Sequence, residues 1–199
     1  MVSKNGCGGR IQFVELGIRI FSKIQGRALM SNNFFRIPQV HYDILISHLL
    51  PPNPKNEEAG FALADMELNF KEWLPMKPQN FVSRSKGYLE LKDGVRGNVI
   101  KRAHDTNSIL IEFHSHPFPW PAQFSDFDLE GLSEIVPHIR WRLKRKAYLA
   151  VVVAPSGFDA LVWNSETDDA SGLDGIVTEN KTLVPTGLTL KSMGILNGH

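Results

Sequence analysis

The segment Ala147-Tyr148-Leu149-Ala150-Val151-Val152-Val153-Ala154 constrains this chain most. It carries no charge and is rich in residues that favour strands, so it predicts a buried β-strand that other elements must cover on both faces. A second such strand is predicted over Ser108 to Phe113 (SILIEF), running directly into His114-Ser115-His116-Pro117. Pro155-Ser156-Gly157 predicts a turn after the first segment, leading into Phe158 to Trp163 as the partner strand of a hairpin.

Around these strands the pattern alternates irregularly. Phe34 to Ile37 reads as a short strand, and Pro38 suits the first turn of a helix. Ile44, Leu45, His48 and Leu49 recur at helical spacing until Pro51, Pro52 and Pro54 end the helix. Glu57 to Ala64 is a small-residue apolar run suited to a buried strand. Residues 65–100 carry mixed signals, with Ser85 to Asp93 readable as strand or helix. After the proline-stiffened loop Phe118 to Phe124, a helix is predicted from Ser125 with Leu129, Leu132, Ile135 and Val136 on its inner face. Residues 11–22 predict one or two further strands, and one strand is expected near Thr182 to Val184. The class is therefore α/β or α+β, a mixed β-sheet flanked by helices.

Composition excludes several functions. With 199 residues, a single domain is expected, and 42% hydrophobic with 22% charged residues is ordinary for a water-soluble fold. Lys and Arg number 22 against 21 Asp and Glu, so the basic excess of a dedicated nucleic-acid or acidic-membrane binder is missing. The one cysteine, Cys7, can form neither an internal disulfide nor a Cys-rich zinc cage, and its Gly-rich surroundings offer nothing that would activate the thiol. Arg10 and Glu15 interrupt any signal-peptide core, and no apolar run is long enough to cross a membrane. A reducing, cytoplasmic setting is expected.

The chemistry concentrates in Glu112-Phe113-His114-Ser115-His116-Pro117 and Ser125-Asp126-Phe127-Asp128. On a strand, residues i and i+2 face the same way, so His114 and His116 project together. Two imidazoles on one face can hold a divalent metal, and the loop can return Asp128 as a third ligand. Two histidines and one carboxylate leave a fourth zinc position open, as catalytic sites do. Ser125 and Asp128 also have the spacing of a helix start, with serine as cap and aspartate in the first turn. His41, His48, His104 and His138 fit no metal spacing. The basic run Arg140 to Lys146 reads as the solvated end of the helix, with contact to an acidic partner as the other option.

This constellation resembles the metal signature of the JAMM (MPN+) zinc metalloproteases, many of which cleave ubiquitin or ubiquitin-like conjugates. The resemblance spans residues 34–165, with 1–33 as an N-terminal extension and 166–199 as a partly ordered tail. It implies a cytidine-deaminase-like JAMM architecture of the compact, stand-alone prokaryotic type. It implies Zn2+ on His114, His116 and Asp128, and Ser125 assisting the oxyanion. The family's glutamate precedes a small-residue strand, as Glu57-Glu58-Ala59-Gly60 does here. Neighbours on a strand face opposite sides, so only one of Glu57 and Glu58 can reach the site, and register favours Glu57. The loop 117–124 is one residue longer than the family's usual spacing.

The implied function is hydrolysis of the peptide or isopeptide bond after the C-terminal glycine of a ubiquitin-like modifier, with a zinc-activated water and Glu57 as general base. Implied partners are the modifier, its conjugates, and E1-like and E2-like conjugation proteins. Phe118 and Trp120 would either wall a narrow substrate channel or clasp each other to stiffen the loop. Two other readings stand beside this one: a metal-free interaction scaffold of the same fold, and a zinc hydrolase of a small amide conjugate.

Overall fold

A computed structural model describes residues 33–164 and 169–195. The strands predicted in residues 11–22, and Cys7, lie outside the described residues. The chain is α+β. Its central sheet has six strands, with Ala59–Ala64 (β2), Phe70–Pro75 (β3), Ile109–Ser115 (β6), Tyr148–Ala154 (β7), Gly157–Trp163 (β8) and Ser171–Gly172 (β9) in the order β3-β2-β6-β7-β8-β9. The β6–β7 pair is parallel, and the remaining neighbours are antiparallel. A parallel pair needs a crossover, and the helix Asp126–Arg142 (α3) supplies it.

Strands β6 and β7 read as continuous apolar runs because both faces of the sheet are covered. On one face Leu110, Tyr148, Ala150 and Val152 pack with Val99, Ile100 and Ala103 of the helix Asp93–Asp105 (α2) and with Leu132, Val136 and Ile139 of α3. On the other face Ile111, Phe113, Leu149 and Val151 meet Leu45 and Leu49 of the helix Gln39–Leu49 (α1). Phe35 of the strand Phe34–Arg36 (β1) joins that second layer. The helix predicted after Pro38 ends at Leu49, ahead of the prolines.

Residues 65–100 resolve into β3, a 3₁₀ turn at Pro78–Asn80, the hairpin Phe81–Ser85 (β4) with Tyr88–Leu91 (β5), and α2. Ser85 to Asp93 therefore falls mainly in a hairpin. The turn into β8 places Gly157 at φ +147°, a conformation that side-chain-bearing residues rarely adopt.

Two readings of the surface change. Within the run Arg140 to Lys146, Arg140 is buried and donates to the Asn164 carbonyl at 2.6 Å, while Leu143 is buried in the core. Helical periodicity places Arg140 beside Val136 and Ile139, so it is not part of a solvated helix end. The segment 166–199 carries the strand expected near Thr182, as Thr182–Leu183 (β11), and beyond it β9, Gly175–Val177 (β10) and the short helix Leu188–Ser192 (α4). It packs onto the fold because β10 pairs in parallel with β1, from Phe34↔Gly175 to Arg36↔Val177.

Candidate metal centre

The end of β6 presents the two histidines. His114 lies within the strand, and His116 extends its ladder by donating its backbone N–H to the Val153 carbonyl at 2.8 Å. Their rings converge, with centroids 5.0 Å apart. Ser115 points the other way and is buried. Its hydroxyl accepts from the Glu58 N–H at 2.9 Å, and its own N–H donates to the Glu58 carbonyl at 2.9 Å. The Glu57 N–H donates to the Ser85 carbonyl at 2.7 Å, so the segment entering β2 is held from both sides.

Asp128 arrives from the first turn of α3. Ser125 is the cap: its Oγ accepts from the Asp128 N–H at 3.2 Å, and its own N–H donates to Asp128 Oδ2 at 2.7 Å. The Ser125 hydroxyl also donates to Oδ2 at 2.6 Å. This reciprocal arrangement satisfies backbone donors that a helix start otherwise leaves open. It also aims the carboxylate at the strand end. His114 Nε2 stands 3.4 Å from Asp128 Oδ1, and His116 Nε2 stands 3.3 Å from Oδ2.

These residues fit a metal ion. Among the described residues, His114, His116 and Asp128 form the group whose ligand atoms all lie within 4.8 Å of one another. Zinc bonds of about 2.0–2.1 Å at tetrahedral angles separate neighbouring ligand atoms by about 3.3 Å, close to the observed His–Asp separations. His114 Nε2 is buried and has no hydrogen-bond partner, despite its approach to Asp128. A buried polar atom without a partner is costly, and a cation between it and the carboxylate would satisfy it. The donor set, two imidazoles and a carboxylate, suits zinc.

Glu57 and Glu58 separate clearly. Glu57 is 4% exposed, and its Oε1 lies 3.9 Å from His116 Nε2. Burial is the main cause that pushes its carboxyl up to about 7; His116 pulls it down and the Asp128 charge adds to the rise. Glu58 turns away and pairs with Arg84. Burial works against ionisation of Asp128, but the two imidazoles and the Ser125 hydroxyl outweigh it and hold that carboxyl far below the usual range.

A cleft of about 550 Å3 opens at the cluster, lined by Glu57, His116, Phe118, Trp120 and Ser125 among others. Phe118 and Trp120 stack on each other, with centroids 5.0 Å apart and planes 22° apart, so the clasp exists and the same pair walls the cleft. On the other side, Glu112 of β6 pairs with Arg96 and accepts from the buried Tyr148 hydroxyl. His48 lies 3.0 Å from the Ala59 carbonyl, and His41 stacks on Phe70; neither joins the ligand group. Sequence reasoning missed Ser115, which a lone serine between two histidines does not announce. It also missed the Phe124 ring, which packs edge-on to His114 with centroids 5.6 Å apart.

No family model matches the chain, and no curated protein matches it. Among solved structures, it is similar to the solution structure of protein DSY2949 from Desulfitobacterium hafniense. The two share 14% identity over 72% of this chain and 92% of that one, with a TM-score of 0.45. A likeness that distant passes no function from one chain to the other.

Proposed function

We propose that this chain is a zinc metallopeptidase of the JAMM type, hydrolysing the peptide or isopeptide bond after the C-terminal glycine of a ubiquitin-like modifier. The observation that supports it best is the convergence of His114, His116 and Asp128, with the buried His114 Nε2 making no hydrogen bond and Glu57 beside His116. The strand–HSHP–loop–SxxD order of the sequence adds the resemblance on which the modifier rests.

His114, His116 and Asp128 would hold the ion. Zinc bound there supplies Lewis acidity toward a carbonyl and a water of lowered pKa. Glu57 accepts the proton of the attacking water on its buried carboxylate and returns it to the leaving nitrogen. The Ser125 hydroxyl, at the cleft wall, turns from Asp128 to donate to the developing oxyanion. Stacked Phe118 and Trp120 form an apolar wall of the cleft, against which a slim extended tail ending in glycine would lie. No helix among the described residues is long and apolar enough to cross a membrane, and the reading places the enzyme in the cytoplasm with E1-like and E2-like proteins as partners.

The closed cap between Ser125 and Asp128 favours a second reading, a metal-free scaffold in which that pair serves only the helix. Zinc analysis and a cleavage panel decide between them. The enzyme reading expects about one zinc per chain and cleavage of at least one ubiquitin-like protein fused through its C-terminal glycine, with no cleavage by Glu57→Ala. Absence of zinc supports the scaffold. Cleavage of small model amides as readily as any fusion supports the small-amide hydrolase.

A further inference from the structure

The loop 117–124 joins His116 to Ser125 without a strand or helix of its own, and Pro117, Pro119 and Pro121 cannot donate backbone hydrogen bonds. Its conformation is set from outside. Three hydroxyls grip it at alternate residues. Ser156, in the turn between β7 and β8, donates its Oγ–H to the Trp120 carbonyl at 3.0 Å. Thr186 donates its hydroxyl to the Ala122 carbonyl at 2.6 Å. Thr189 of α4 accepts from the Phe124 N–H at 3.1 Å.

Behind Thr189 stands Asp159 of β8, 1% exposed. Its carboxylate accepts from the Thr189 N–H at 2.9 Å, the Thr189 hydroxyl at 2.7 Å, the Gly187 N–H at 3.1 Å and its neighbour's Ala160 N–H at 3.0 Å. Because Thr189 gives its hydroxyl proton to Asp159, its lone pairs are left facing the Phe124 N–H. Hydroxyl orientation is thus fixed by a buried acceptor, and the hydroxyl in turn fixes the backbone one residue ahead of the Ser125 cap. The Phe124 ring packs against His114, so one residue reaches both arms of the cluster.

We propose that Asp159 and Thr189 are positioning residues of the metal centre: the C-terminal segment braces the loop so that Asp128 and His114 keep their mutual geometry. This rests on the metal reading above. Residues behind metal ligands commonly change affinity by about 10–100-fold when altered.

The test uses the full chain with Thr189→Val, which keeps the side-chain shape and loses the hydroxyl, Thr189→Ser, which keeps the hydroxyl, and Asp159→Asn. Two quantities are read: exchange of the Phe124 amide proton by NMR in metal-free protein, and zinc affinity by competition with a chromophoric chelator. Thr189→Val is expected to speed Phe124 exchange about tenfold or more and to weaken zinc about 10–100-fold, while amides of β6 and β7 keep their protection. Asp159→Asn should shift both in the same direction, and Thr189→Ser should stay near wild type. Unchanged exchange or unchanged zinc affinity in Thr189→Val, or equal damage in Thr189→Ser, overturns the proposal. If wild type binds no zinc, the metal reading falls, and Phe124 exchange alone then judges the brace. If Thr189→Val does not fold, a freely exchanging Phe124 amide in wild type overturns the brace, and a protected one supports it.

Discussion

Asp128 accepts the Ser125 hydroxyl at 2.6 Å while presenting its carboxylate to His114 and His116 at 3.4 and 3.3 Å. One side chain therefore closes a helix cap and completes a potential ligand set. The two roles separate on mutation. Asp128→Asn retains an oxygen that can accept the Ser125 N–H, so the cap is largely kept, but the anionic ligand is gone. Zinc affinity should fall by more than about 100-fold, and the metal-free protein should also melt lower near neutral pH, because the carboxylate favoured by the two imidazoles and the Ser125 hydroxyl is gone; zinc titration and calorimetry check the two losses.

Ser125→Ala removes the cap hydroxyl and the proposed oxyanion donor together. Stability should fall by about 1 kcal/mol, the usual cost of a lost cap. Turnover should fall about 10²–10³-fold. Denaturant melts and steady-state rates on a cleavable fusion measure the two losses, and a stability loss without any rate loss would leave Ser125 a cap alone.

Glu57 gives metal-free protein a signed pH dependence. Its folded pKa is raised from 4.5 to about 7, mainly by burial, so the folded state binds that proton more tightly than the unfolded chain. Stability from this group is fully present below its ordinary value of 4.5 and is lost as pH rises through about 7. Glu57→Gln should therefore gain on wild type between pH 5 and pH 8, by on the order of 3 kcal/mol in the metal-free state. Asp128 works in the opposite sense at lower pH, its contribution being lost only on acidification. Urea melts of both proteins across that range give the difference directly, and a constant offset would contradict the assignment.

Gly60 follows the Glu57–Glu58 segment in β2, and the Trp73 ring lies where a Cβ would be. Gly60→Ala must displace that ring, which also packs edge-on with Phe113 at 5.7 Å and His48 at 5.9 Å. Overpacking of this kind costs about 1–3 kcal/mol. Thermal melting together with a changed tryptophan emission should report it.

What was legible in the sequence has a physical basis. The β6 and β7 strands, the histidine pair and the Ser125 cap are local signals, set by side-chain alternation and by the chemistry of a helix start. The α1 helix was readable from its spacing and the prolines that stop it. By contrast, α2 buries only Val99, Ile100 and Ala103 and contains Gly94 and Gly97, so its apolar stripe is weak. The β10 strand has three residues, and its partner β1 lies far away in sequence, so no local pattern marks the pairing. The hydroxyls of Thr186 and Thr189 reach the loop from 64 and 65 positions further along the chain, again with no local pattern to mark them. Arg140 looked like part of a charged run, because a string of basic residues conceals which of them the helix turns inward.

Metal analysis by mass spectrometry tests the central claim most directly, on wild type and His114→Ala purified with zinc present and then dialysed. The account predicts about one zinc per wild-type chain and none in His114→Ala with the fold retained. A wild-type chain without zinc, or a His114→Ala chain that keeps it, would contradict the account.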